Sequence, residues 1–284
     1  MKNYFENNQY SATRIQPNIW HIHDATIANP VGLHEDGTFH NTSSVFVIED
    51  TDTILVIDLG NPYNDRHLRE MVDTIAQGRT IKVAITHNHF DHTGALPSFN
   101  DCDIYYHHLD PLDNINHPKI VKDGDTIDLD NYHFEVLEVP AHTKGSIAFL
   151  ERNKGWFATG DAFGSSYVWL LFMDDVISIY QNTLRKTIEK VKGIDLYFLC
   201  GHRYQQQHTP ILGVNPLSPK NPDMGILYLE DMLSLTYQIQ EGIAVSHDFE
   251  AFNRKDLRAY TYGRAEIDTY IQGQPCINLK EAMK

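Results

Sequence analysis

The chain has 284 residues, 42% of them apolar and 11% aromatic, which suffices for a full core and sets disorder aside. Its formal charge of −15, from 23 basic and 38 acidic residues, argues against a nucleic-acid partner, because polyphosphate binding relies on clustered Lys and Arg that release counterions. No stretch approaches the ~20 apolar residues that span a bilayer. Residues 1–8 hold no apolar run of the kind a secretion signal needs, and Cys102, Cys200 and Cys276 suit neither a disulfide framework nor a thiolate zinc site, so a cytoplasmic protein with reduced thiols is expected.

Runs rich in Val and Ile, bounded by Asn, Asp, Gly and Pro, predict strands over 19–23, 45–49 and 54–58. Residues 64–77 read as a helix, with Leu68, Met71, Val72 and Ile75 at 3–4 spacing and Gly78 as its stop. The nearly continuous apolar run 81–86 predicts a strand covered on both faces. Thr93 to Leu96 then look like the start of a helix. Further strands are predicted over 104–107, 126–129, 132–139, 146–150 and 156–159, with turn chemistry at 123–125 and 153–155. A helix over 176–191 and a strand over 196–199 follow, then a Pro-rich connection and a helix over 224–240. The tail from Ser246 is mixed. The pattern by itself gives α/β or α+β.

Sixteen histidines are the anomaly of the composition. Directly after the 81–86 strand stands His87-Asn88-His89-Phe90-Asp91-His92, four ligand-type residues within six positions. Side chains two apart in an extended segment project to the same side, so His87 and His89 can share one ion, and Asp91 and His92, past a bend, can reach a second. Catalytic zinc takes about three protein ligands plus water, so one loop is not enough. His142, Asp161 and His202 each come first among ligand-type residues past a predicted strand end, beside a small residue that lets the backbone turn. Singly each would be an ordinary loop residue; together with the cluster they read as a metal centre. His21 with His23, and His107 with His108, lack such company and are expected to be structural or exposed, as are His34, His40, His117, His133, His208 and His247.

The pieces HNHFDH (87–92), PAHTKGS (140–146), ATGDAF (158–163) and CGHRY (200–204) resemble the metallo-β-lactamase superfamily of hydrolases, over roughly residues 19–204. The resemblance implies a four-layer αββα sandwich of two mixed β-sheets with helices outside. It implies a catalytic core over 1–204, and 205–284 is expected to be a C-terminal helical extension packed on the same domain. It also implies two ions, with His87, His89 and His142 on one, Asp91, His92 and His202 on the other, and Asp161 bridging. Zinc suits that donor set, with iron or manganese as alternatives. Asp58 resembles the buried Asp that braces the metal loop. With Asp at 161 the pattern resembles thioesterases of the glyoxalase II kind, lactonases and phosphodiesterases, and CGHRY is similar to the CGHEY of glyoxalase II.

The function expected is a metal-dependent hydrolase using a metal-bridging hydroxide on a small carbonyl substrate: thioester, lactone or amide. Asp91 would also steer a proton, and Tyr167 and Tyr204 are candidate donors to the substrate carbonyl. The aromatic run 163–173 is a reasonable wall for an apolar substrate. Alternatives are a mononuclear-iron sulfur oxidoreductase of the same superfamily, a zinc phosphodiesterase and, behind these, a non-catalytic binding protein. The partner expected is a small molecule, with neither nucleic acid nor membrane; a homodimer is the assembly to test.

Overall fold

Strict alternation of apolar side chains dictates the layers. The structure, a computed structural model, describes residues 3–7, 9–24, 43–61, 65–163, 167–202, 225–271 and 273–278. The first sheet has eight strands in sequence order: β1 (Tyr4–Glu6), β2 (Tyr10–Gln16), β3 (Ile19–Asp24), β4 (Val45–Glu49), β5 (Thr53–Ile57), β6 (Thr80–Ala84), β7 (Asp103–His107) and β8 (Pro118–Val121). Its first five strands are antiparallel; β5 through β8 run parallel. The second sheet has the order β14 (Tyr197–Cys200), β12 (Trp156–Gly160), β11 (Ile147–Glu151), β10 (His133–Glu138), β9 (Thr126–Asp128), and only its β12–β14 pair is parallel.

Successive strand residues point to opposite faces. On β4 and β5, Phe46, Ile48, Leu55 and Ile57 therefore meet Phe134, Val136, Ile147, Phe149 and Ala158 of the second sheet, forming the central core. Their neighbours Val45, Val47, Ile54 and Val56 face the other way, against helix α1 (Asp65–Ala76). Leu68, Met71, Val72 and Ile75 of α1 are almost wholly buried there, each worth about 1.5–3 kcal/mol as removal from water. Leu137, Ala148, Leu150 and Phe157, on the outer face of the second sheet, pack against α3 (Val176–Val191) and α4 (Ile226–Glu241). The order helix, sheet, sheet, helix is the four-layer sandwich expected.

The segment beyond residue 204 departs from the helical expectation. After α4 it forms β15 (Val245–Ala251), β16 (Arg254–Tyr262) and β17 (Ala265–Tyr270), which join β13 (Tyr167–Leu170) in a third sheet of order β13-β17-β16-β15. The β13–β17 pair is parallel and crosses the expected boundary at 204. The physical reason is one-sided burial: Leu257 and Ala259 in β16, and Ala265, Ile267 and Thr269 in β17, are buried, with Asp268 buried beside them. The hairpin joining β15 to β16 turns through Phe252 and Asn253, both at positive φ (52° and 58°), with no glycine to announce it. No helix among the described residues is long and apolar enough to cross a membrane.

Candidate metal centre

Four strand ends meet at one edge of the sandwich. β6 leads into His87 and His89, and the next residues form a single helical turn, α2 (Phe90–Thr93), that carries Asp91 and His92. The helix thus begins before Thr93 and stops there, correcting the expectation of a start at Thr93: helical winding, not a bend in an extended loop, sets Asp91 and His92 side by side. His142 follows β10, Asp161 follows β12 and His202 follows β14. The two sheets are stitched together at this edge by their backbones. Ile147 N–H donates to the Thr86 carbonyl (2.9 Å) and Ser44 N–H to that of Gly201 (2.7 Å).

All seven residues converge. Among the described residues, three groups place a ligand atom from each member within 4.8 Å of the others: His87, His89, His142; His87, His92, Asp161; and Asp91, His92, His202. His142 Nε2 lies 3.0 Å from His89 Nδ1, and His92 Nε2 3.3 Å from His202 Nε2. Asp161 sits between the histidine sets, with Oδ2 3.1 Å from His202 Nε2 and 3.6 Å from His142 Nε2, and Oδ1 3.4 Å from His92 Nε2. Asp91 Oδ2 is 3.3 Å from His202 Nε2. Gly201 makes this approach feasible: a Cβ there would stand 2.0 Å from Asp161 Oδ1.

The tautomers follow from partners that can only accept. The Asp58 carboxylate takes Thr86 N–H, the Thr86 hydroxyl and His92 Nδ1, each at 2.8 Å. With its proton on Asp58, Thr86 Oγ1 can only accept from His87 Nδ1, 3.1 Å away. His142 Nδ1 donates to the Trp169 carbonyl at 2.8 Å. In His87 and His142 the Nε2 lone pair is thereby aimed into the centre, and His92 would offer the same atom on giving up its second proton. His87 Nε2 is buried there with no hydrogen-bond partner. A buried acceptor without a donor, beside two carboxylates, fits a cation.

Comparison with known proteins agrees. The profile of the metallo-beta-lactamase superfamily matches residues 38–101. A hydroxyacylglutathione hydrolase of Aliivibrio salmonicida is 32% identical over 201 residues, covering 69% of this chain and 66% of that one. One of Legionella pneumophila (strain Corby) is 26% identical over 155 residues, covering 53% and 58%. The chain thus spans less than two thirds of the length of the Legionella relative. A metallo-beta-lactamase from Pontibacter korlensis has the same fold (TM-score 0.55, 14% identity, 68% of this chain and 91% of that one). So does a flavoprotein from Thermotoga maritima (0.53, 14%, 82% and 60%). The chain belongs to the metallo-β-lactamase superfamily.

In this superfamily member, the electrostatics of the edge are divided. Burial, then the neighbouring histidines, holds His87 well below the usual imidazole range and His89 at about 3; burial also lowers His142. For His92 burial opposes the charge, but Asp161, Asp91 and Asp58 outweigh it and push the imidazole up. Burial likewise works against ionised Asp91 and Asp161, yet His92 and His202 keep both carboxyls low. Several rings are therefore neutral donors, while two carboxylates stay ionised.

Two contributors escaped the sequence reading. Buried Asp110, after β7, accepts from Thr143 Oγ1 (2.5 Å), Gly145 N–H (3.0 Å) and Asn88 N–H (3.3 Å), tying the His89 loop to the His142 loop. Trp169 acts through its carbonyl, which no residue type announces. Phe172 presents its ring edge-on to His89 and His142, at centroid distances of 5.2 and 5.6 Å. Tyr204 lies outside the described residues, as does the side chain of Tyr167, whose backbone opens β13. His21 meets Ser44 Oγ (3.0 Å), His107 meets Glu138 (3.2 Å) and His133 meets Asp128 (2.8 Å); none joins the three groups. His117 and His247 are exposed, and His34, His40 and His208 lie outside the described residues.

Proposed function

We propose that this chain is a metal-dependent hydrolase of a small carbonyl substrate, a thioester first, with two divalent ions. His87, His89 and His142 would hold one ion, Asp91, His92 and His202 the other, and Asp161 would touch both. The observation that carries this reading is the position of Asp161 between two histidine sets whose Nε2 atoms face it. Imidazole and carboxylate together favour zinc over harder cations. Bound there, the ions would supply Lewis-acid activation of water and of the carbonyl.

The chain's own groups perform the rest. Asp91, kept ionised, is placed to accept a hydrogen bond from the attacking water and pass its proton on. Phe172 packs its ring edge-on against His89 and His142 and would border the substrate there. Tyr167 and Tyr204 remain proposed donors to the substrate carbonyl. In the overall step, a water oxygen bonds to the acyl carbon and the carbon–sulfur bond breaks. The thiolate leaves with the electron pair and is protonated; the acid formed gives up its proton. The names of the relatives, hydroxyacylglutathione hydrolases, support proposing a thioester before a lactone or an amide.

The test is metal analysis of the full chain together with a panel of a hydroxyacyl thioester of glutathione, an oxygen ester, a lactone and a phosphodiester. About two zinc per chain and preferred thioester cleavage, both lost in Asp161→Ala, are expected. One iron per chain with oxygen uptake and no hydrolysis would instead establish the sulfur-oxidising alternative.

A further inference from the structure

An apolar patch built largely by the third sheet borders the metal centre. Leu171, Leu257 and Ile277 form its buried base, and Trp169, Phe172, Phe249 and Phe252 pack on them while staying only half-buried. The rings form a continuous line: Phe249 and Phe252 each lie 5.8 Å from Trp169, and Phe252 lies 5.9 Å from Phe172. Phe172 in turn touches His89 and His142. The main cores contain fully buried aromatics such as Phe46, Phe149 and Phe157. Here instead rings keep an open side beside a reaction centre, as in a ligand wall.

The backbone at Phe252 points the same way. An aromatic residue at φ 52° is disfavoured, and glycine or asparagine is the usual occupant of such a turn. Strain of this kind collects at binding sites, where a side chain must be delivered to one place. The turn delivers the ring onto Phe172 and Trp169. The one carboxyl bonded into the patch does not make it ionic: Asp268 accepts from Trp169 Nε1 (3.0 Å), and burial pushes its carboxyl well up, toward the neutral form.

We infer that Trp169, Phe172, Phe249 and Phe252 form an acyl-binding wall, and that the substrate carries an extended apolar acyl group. This deepens the hydrolase reading and rests on it. The scissile carbonyl would sit at the centre, and the hydrocarbon would run from Phe172 along Phe252. Each methylene transferred from water to apolar contact is worth about fourfold. Lengthening the acyl chain from two to six carbons should therefore raise kcat/KM by up to about 200-fold on the same scale.

The experiment uses the zinc-loaded full chain and acetyl and hexanoyl thioesters of one small thiol. Wild type should prefer hexanoyl by at least about tenfold, since two methylenes on the wall already exceed that. Phe252→Gly removes the ring while suiting the turn, and should bring the ratio close to one with zinc content retained. Phe249→Ala is the second variant, with a smaller drop expected. In parallel, acetate and hexanoate are titrated against the protein, following Trp fluorescence. Hexanoate should bind at least about tenfold more tightly, and Phe252→Gly should abolish the difference. Hydrolysis with equal use of both acyl groups would overturn the wall and leave the hydrolase reading standing. Selective hexanoate binding with no thioester cleaved would support the wall and remove the hydrolase. Equal binding of both carboxylates would reject the wall outright.

Discussion

Replacing Asp58 by Asn tests the argument about tautomers most directly. The volume is unchanged, and Asn tolerates the left-handed conformation that Asp58 adopts (φ 58°), so the backbone has no reason to move. What changes is hydrogen bonding. The carboxylate accepts three hydrogen bonds, each 2.8 Å long, from Thr86 N–H, Thr86 Oγ1 and His92 Nδ1. An amide oxygen can keep the bond to the backbone, which leaves the NH2 facing two donors. His92 relieves the clash by moving its proton to Nε2, and Thr86, turned round, encourages the same shift in His87. Both rings then present N–H where a lone pair is required. Loss of a partner of this kind weakens metal binding about 10- to 100-fold, or about 1.4–2.8 kcal/mol. Competition for zinc against a chelator of known affinity measures it, with thermal unfolding of the metal-free protein as the control. Wild-type affinity in Asp58→Asn, for both ions, would refute the reasoning. So would a loss of stability without a loss of affinity, since Asp58 would then hold the fold alone.

Gly201→Ala should be costly although it adds one methyl group. Its Cβ meets Asp161 Oδ1 at 2.0 Å and the Gly160 carbonyl carbon at 2.8 Å. An overpacking penalty of about 1–3 kcal/mol and displaced Asp161 are expected, read as a lower Tm with less than two zinc per chain. A variant that folds and loads zinc normally would show that the edge is looser than described. Zinc loading should also release protons near neutral pH. His92 has its imidazole pKa raised, so it carries a proton without metal and must lose it to become a ligand. His87, His89 and His142 are lowered and already neutral. Release should therefore fade as pH rises through the His92 pKa, and an indicator-dye titration that is flat across this range would contradict the assignment.

How much could be read in advance follows from what each residue needs around it. The ligand positions were legible because buried strands announce themselves by composition, and His or Asp beside Gly or Ala at a strand end is a local signal. His142, Asp161 and His202 all have that form. The central strands and α3 were legible for a related reason: both faces, or one full stripe, are apolar. β1 and β2 were not, because YFE and YSATRIQ mix polar and apolar residues without a clean period. β15 to β17 hid because their few buried apolar residues, Leu257, Ala259, Ala265 and Ile267, stand among charged and polar ones, and their hairpin turns on Phe252 and Asn253 instead of a glycine. Asp110 and the Trp169 carbonyl act only through distant partners, 35 and 27 residues away in the case of Gly145 and His142. Such contacts exist once the chain is folded and leave no local trace.

The parallel pairing of β13 with β17 has a consequence for biosynthesis. Trp169, whose carbonyl fixes the His142 ring, is held in a ladder with Asp268, 99 residues later in the chain. On the ribosome, the first sheet and every histidine of the centre emerge well before that strand does. A nascent chain would therefore carry an incompletely oriented His142 until residues 265–270 have left the exit tunnel, so stalled or prematurely terminated products should scavenge zinc poorly even with every ligand already translated.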